Sequence, residues 1–148
     1  MEERIWHRSY VAGIPREIKL EDITICEILS RTAQKFPNRV ALIFLGKKIT
    51  YRKLEALANR FANALTSLGL APGDRIALLL PNVPQMVIAY FGAWRARLVP
   101  VPVNPLYTDP EIGHQLATSG ASAMVSLDLL VPRMLALREK TGVKTRPA

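Results

Sequence analysis

LGLAPGDRIALLLPN, Leu68 to Asn82, holds three structural signals in one short run. Gly69 can supply the left-handed residue that ends a helix, where a β-carbon would be penalised. Pro72-Gly73-Asp74 reads as a tight turn, with proline fixing one dihedral and glycine free to take positive φ. Ile76 to Leu80 is apolar at every position, which is the pattern of an interior strand in a parallel sheet covered on both faces. Pro81 has no N–H to give to a ladder, so the strand stops there.

Upstream of this run the sequence predicts a long amphipathic helix. Thr50 is its N-cap, and Leu54, Leu57, Ala58, Phe61, Ala62, Leu65 and Leu68 recur three and four apart. Before it, Val40 to Thr50 reads as a strand, a tight turn at Gly46 and Lys47, and a short return strand. Thr24 and Glu27 have the spacing of a capping box, and Ile25, Ile28, Leu29 and Thr32 follow at helical period until Pro37. Residues 1–23 mix charges with Trp6, Tyr10 and Pro15 and form an arm that needs a surface to lie on.

Downstream, Val83 to Arg95 is apolar nearly all round, which predicts a largely buried helix. Val99 to Val103 (VPVPV) is a further strand, pushed by its prolines to an edge or a bulge. Asp109 caps a helix through Thr118 with Pro110 in its first turn, Ser122 to Leu127 is a third strand, and Asp128 opens a last helix through about Lys140. The alternation after residue 75 predicts an α/β fold: a doubly wound, mostly parallel sheet with helices on both faces. The expected organisation is an arm (1–23), an α/β subdomain (24–140) and a frayed end (141–148).

Composition narrows the function classes. Of the 148 residues, 49% are apolar and 22% charged, the balance of a folded globular chain rather than a disordered one. One cysteine, Cys26, excludes an internal disulfide framework and fits a reducing compartment, hence a cytoplasmic location. The apolar region Ile76 to Trp94 is long enough for a membrane span. Pro81, Asn82, Pro84 and Gln85 break it, so it reads as two buried elements joined by a turn. The net charge of +8 raises the question of nucleic acid. The basic residues are scattered without an interleaved aromatic ladder; even the densest run, Lys47 to Lys53, reads as a solvated surface, and no nucleic-acid partner is expected.

From "ITY-x-x-L" at Ile49–Leu54, through "LG-x-x-x-GD-x-IA" at Leu68–Ala77, "PN" at Pro81–Asn82 and "PVNP" at Pro102–Pro105, to "SGA" at Ser119–Ala121, the chain resembles the early part of the adenylate-forming (AMP-binding) enzymes. The resemblance covers about residues 24 to 130, and the wording NPLYT (Asn104–Thr108) leans toward long- or medium-chain fatty acyl-CoA ligases. Arg97 departs from the pattern, since the family usually has glycine there.

The resemblance implies a two-step reaction. A carboxylate attacks ATP to give an acyl-adenylate and pyrophosphate, and CoA then takes the acyl group. ATP, Mg2+ and CoA are therefore the cofactors implied for the complete enzyme, with a fatty acid as substrate. The family's phosphate loop, its aromatic-Gly-x-Thr-Glu segment, its ribose-binding aspartate and its C-terminal lysine have no counterpart among these residues. The glycines form neither G-x-x-x-x-G-K nor G-x-G-x-x-G.

The expectation is a chain that resembles the N-terminal portion of such a ligase and is inactive alone. The remainder of the ligase or a second copy would be its partner, with at most peripheral membrane contact. The alternative is a non-catalytic interaction or oligomerisation module on the same fold.

No residue is assigned a catalytic, cofactor-binding or metal-binding role. His7 and His114 have no second ligand at metal spacing, which leaves surface or packing roles. Cys26 is placed as a small filler on the first turn of a helix. Tyr90, Phe91 and Trp94 read as core, and Arg75 as a solvated residue beside Asp74. Asn82 and Asn104 are the substrate-site candidates, because each follows a strand at the carboxyl edge where open α/β sheets bind ligands. They either shape an acyl or CoA passage or simply turn the chain.

Overall fold

Thr24 begins the first α-helix of the computed structural model, which describes residues 4–18 and 20–141. The capping box forms: Thr24 Oγ1 accepts from Glu27 N at 3.2 Å, and Glu27 Oε2 accepts from Thr24 N at 2.7 Å. Helix α1 (Ile25–Lys35) then buries Leu29 and Ala33 and stops at Phe36, one residue before Pro37. Ahead of it the arm contains a short 3-10 turn, Ile5–Ser9, which periodicity did not reveal.

β1 (Val40–Phe44) and β2 (Lys47–Thr50) form the antiparallel hairpin. Its turn sits one residue earlier than the sequence suggests, at Leu45 and Gly46, both with positive φ (48° and 75°). A two-residue turn of this hand matches the twist of the strands, so Leu45 takes a conformation better suited to asparagine or glycine. α2 (Tyr51–Ser67) follows, capped by Thr50 Oγ1, which accepts from Lys53 N at 3.3 Å.

The opening run folds as expected. Gly69 is left-handed at the end of α2 (φ 78°), Pro72-Gly73-Asp74 turns the chain, and β3 (Arg75–Leu79) enters the core. α3 (Pro84–Arg95) and β4 (Val99–Pro102) come next. α4 (Asp109–Ser119) is capped by Thr108 rather than Asp109. The reason is a second capping box: Glu111 Oε2 accepts from Thr108 N at 2.7 Å, which places Asp109 inside the first turn. β5 (Ala123–Ser126) is the third strand. Asp128 opens a 3-10 turn, Asp128–Leu130, and α5 (Val131–Thr141) starts only after it. Residues 142–148 of the expected frayed end lie outside the described residues.

The three central strands run parallel in the order β4-β3-β5, separate from the hairpin. β3 therefore lies in the middle and β4, with its prolines, at an edge. Ile76, Leu78 and Leu80 face α2 and α3, while Ala77 and Leu79 face α4 and α5. Ile76, Leu78 and Leu79 are at most 1% exposed. Burying each such side chain is worth about 1.5–3 kcal/mol, so this single strand anchors both layers. α3 is half-buried rather than engulfed, with only Ala89, Gly92 and Ala93 fully covered.

α2 and α3 approach closely through Gly92. A β-carbon there would come within 2.6 Å of Phe61 Cδ1 and 3.0 Å of the Ala58 carbonyl. Arg95, at the end of α3, joins three helices. Its guanidinium is bidentate to Glu55 (2.8 and 2.9 Å), donates to Ser30 Oγ at 3.0 Å and also meets Asn59 Oδ1. Both members of the ion pair are 20% exposed, and the Glu55 hydrogen bond raises the arginine pKa above its ordinary value.

The departure at Arg97 has a backbone explanation. Arg97 adopts φ 61°, the left-handed region. Arg97 N donates to Trp94 O and Leu98 N to Ala93 O (both 2.9 Å), the two bonds of a Schellman cap. Gly69 N to Thr66 O and Leu70 N to Leu65 O repeat the same motif at the end of α2. The fold thus uses one cap twice, with glycine at one site and arginine at the other. The Arg97 side chain is exposed, so the charge reaches solvent.

Candidate functional site at the carboxyl edge of the sheet

Two loops leave the sheet side by side. Leu80-Pro81-Asn82 leads from β3 into α3, and Val103-Asn104-Pro105 leads from β4 toward α4. Pro81 ends β3, while β4 stops at its own Pro102. The two loops wall a cleft of about 520 Å³, and it contains both Asn82 and Asn104. The structure thus brings the two sequence candidates together in one place.

Their local roles differ. Asn104 Oδ1 accepts from Leu106 N at 3.0 Å, and Asn104 O accepts from Tyr107 N at 3.1 Å, so this residue does turn the chain. Asn82 is exposed and also borders a second cleft of about 230 Å³ between α3 and the hairpin.

Arg133, which sequence reasoning did not single out, holds the Asn104 loop. From α5 its Nε donates to Asp109 Oδ1 at 2.6 Å and its Nη1 to Pro105 O at 3.2 Å, and its Nη2 also reaches Tyr107 O. Nothing in the local sequence marks it, because its partners lie more than twenty residues away. Gln115, from α4, donates Nε2 to Pro102 O at 2.8 Å, while its buried Oε1 has no hydrogen-bond partner among the described residues. An unpaired buried acceptor of this kind costs free energy.

The wall carries amides, prolines, aliphatic groups, Met86 and Tyr107 but no charged side chain. Such a lining suits an uncharged chain with a few hydrogen-bonding groups. It does not suit a nucleotide triphosphate, which needs cations or a cradle of amides. Nor do the residues fit a magnesium ion, since no three His, Cys, Asp or Glu side chains come together among the described residues.

The other singled-out residues fall elsewhere. Arg75 lies at the opposite, amino end of the sheet, where its Nε donates to Gly120 O at 3.2 Å. His7 is buried within the arm, its Nδ1 accepting from Arg4 N at 3.3 Å and its ring edge-on to Trp6 and Tyr10; His114 is exposed. Cys26 is half-buried, with Sγ 3.9 Å from Phe91 O. Tyr90, Phe91 and Trp94 pack on one another, with ring centroids 5.2 and 5.7 Å apart, and do not line the cleft. The region Ile76 to Trp94 splits into β3 and α3, and no described helix is long and apolar enough to cross a membrane.

Comparison with known proteins agrees with this architecture. The AMP-binding enzyme family matches residues 29–147. A long-chain-fatty-acid–CoA ligase of Bacillus subtilis is 38% identical over 136 residues, 92% of this chain and 24% of that protein. A long-chain-fatty-acid–CoA ligase of Yersinia pestis is 40% identical over 146 residues, 97% of this chain and 25% of that protein. The N-terminal domain of FACL13 from Mycobacterium tuberculosis superposes with a TM-score of 0.74 at 33% identity, covering 82% of this chain and 32% of that one. The chain spans about a quarter of the length of the curated relatives it matches.

Proposed function

We propose, from the fact that this chain belongs to the AMP-binding enzyme family, that it builds the N-terminal scaffold of an ATP-dependent acyl-CoA ligase. In this reading the carboxyl-edge cleft lines the route of an uncharged substrate chain. The observation that carries it is the meeting of Asn82 and Asn104 in one cleft without a charged wall residue. The fatty-acid ligases among the relatives favour a long acyl chain or the uncharged arm of CoA as the occupant. ATP and Mg2+ belong to the complete enzyme.

In this reading the α/β subdomain of residues 24–140 is the scaffold body, preceded by the arm of residues 1–23. The partner is the remainder of the ligase or a second copy, in the cytoplasm. The sequence contains no phosphate-loop motif, which supports inactivity of the 148-residue chain on its own. A second reading, an oligomerisation module, is favoured by the apolar residues left exposed on the hairpin, with Ile43 67% and Leu45 86% accessible.

In a ligase carrying this chain, Asn82→Leu should raise the KM for fatty acid or for CoA about three- to tenfold and leave the KM for ATP unchanged. A rise confined to the KM for ATP would overturn the assignment of the cleft.

A further inference from the structure

We propose that Arg133 is a positioning residue for the carboxyl-edge cleft: it fixes the Asn104 loop to α5 and through that loop sets how well the cleft holds its substrate chain. The inference rests on the reading of the cleft as a substrate route and names the side chain that shapes its wall.

The loop has few means of anchoring itself. Pro102 and Pro105 have no N–H to donate. The amides of Leu106 and Tyr107 are both spent inside the loop, on Asn104 Oδ1 at 3.0 Å and Asn104 O at 3.1 Å. Those two bonds curl the chain without tying it to another element. Val103 N donates to Leu78 O at 3.0 Å, and among the described residues no later loop amide reaches the sheet. Leu106 is 88% exposed, so packing holds it little. Yet Asn104, Pro105, Leu106 and Tyr107 all line the cleft.

Arg133 supplies what the loop lacks. A guanidinium has five N–H donors and no acceptor, which suits a segment rich in carbonyls and poor in free amides. Its bonds to Pro105 O at 3.2 Å, to Tyr107 O and to Asp109 Oδ1 at 2.6 Å grip the loop from its first turn to the entry of α4. The grip leads to the core, because Met134 and Leu137 of α5 are buried in one cluster with Ala77, Leu79 and Val103. Arg133 is not itself part of the cleft wall, so it acts through the loop.

A ligand that needs the loop in place binds more weakly in proportion to the time the loop spends out of place. Two variants test this, Arg133→Met and Arg133→Lys. In the isolated chain, Arg133→Met should speed hydrogen exchange at the Leu106 and Tyr107 amides roughly tenfold by NMR, with the β3 amides unchanged. In a ligase carrying this chain it should raise the KM for palmitate or for CoA, whichever Asn82→Leu raises, about three- to tenfold. The kcat and the KM for ATP should stay as they are.

Arg133→Lys keeps the charge and the stem but not the planar fork, so it should recover only part of each effect. It also carries the test if the methionine variant does not fold. Unchanged loop exchange, or losses shared equally by kcat and the KM for ATP, would overturn the positioning role and leave the cleft reading standing. Faster loop exchange with a raised KM in Asn82→Leu alone would overturn the link from loop to substrate. Faster loop exchange with every KM unchanged in both Arg133→Met and Asn82→Leu would overturn the cleft reading and this role with it.

Discussion

Replacing Arg97 with glycine should stabilise the chain, and the reason lies wholly in the backbone. Arg97 sits at φ 61° in the cap that ends α3, tied by its own N–H to Trp94 O and by its carbonyl to Gly73 N at 2.8 Å. A residue with a β-carbon is disfavoured there by roughly 1–2 kcal/mol. Glycine removes that strain and loses part of the gain to its greater freedom in the unfolded chain, roughly 0.5–1 kcal/mol. Among the described residues the exposed arginine side chain makes no hydrogen bond or ion pair that would be lost. The net expectation is about 1 kcal/mol of added stability, or roughly 2–4 °C in Tm for a chain of this size. Arg97→Ala is the control, because it removes the charge but keeps the β-carbon, and it should lie within about 0.5 kcal/mol of the parent. Urea unfolding followed by circular dichroism measures all three. If glycine and alanine give the same stability, or if glycine is the less stable, the strain argument fails.

Further outcomes follow from the packing and the charges. Gly92→Ala should destabilise by about 1–2 kcal/mol despite alanine's better helix propensity, because the added methyl meets Phe61 and the Ala58 carbonyl; unfolding midpoints would show it. Arg95→Met should cost about 2–3 kcal/mol, since it strands the half-buried Glu55, while Glu55→Leu combined with Arg95→Met should recover much of the loss; a double-mutant cycle reads the coupling. Glu27 and Glu111 have lowered pKa values, Glu27 chiefly through the backbone amide of Thr24 and Glu111 chiefly through the hydroxyl of Thr108. Their contribution is complete above the unfolded glutamate value of about 4.3 and is lost as the pH falls through the lower folded values. The Glu27→Gln/Glu111→Gln double variant should therefore flatten the acid limb of the stability–pH curve.

Much of the architecture was legible because local signals and global needs agree. The apolar run Ile76–Leu80, ended by Pro81, predicts a central strand, and the structure places β3 between two neighbours with a helical layer on each face. The prolines of β4 predict an edge, and β4 is one. Shifts came where short-range competitors sit close together. Thr108 took the cap from Asp109 because only Thr108 has Glu111 three residues on, and the hairpin turn moved to Leu45-Gly46 because register overrode the local preference for glycine first.

The candidate site was half legible. Asn82 and Asn104 are visible as residues that follow strands, and their common cleft follows from β3 and β4 being adjacent and parallel. Arg133 and Gln115 were not visible, since their contacts depend on how α5 and α4 return over the strand ends. Arg97 was visible as an oddity, and the dihedral angle supplied the explanation.

The most direct test of the scaffold reading is carboxylate-dependent ATP–pyrophosphate exchange with palmitate. It should be measured on the isolated chain and on a Bacillus subtilis long-chain-fatty-acid–CoA ligase whose matching segment is replaced by this one. The account predicts no exchange from the isolated chain and exchange within about tenfold of the parent ligase from the chimaera. Robust exchange from the isolated chain, or a folded chimaera with none, would contradict it.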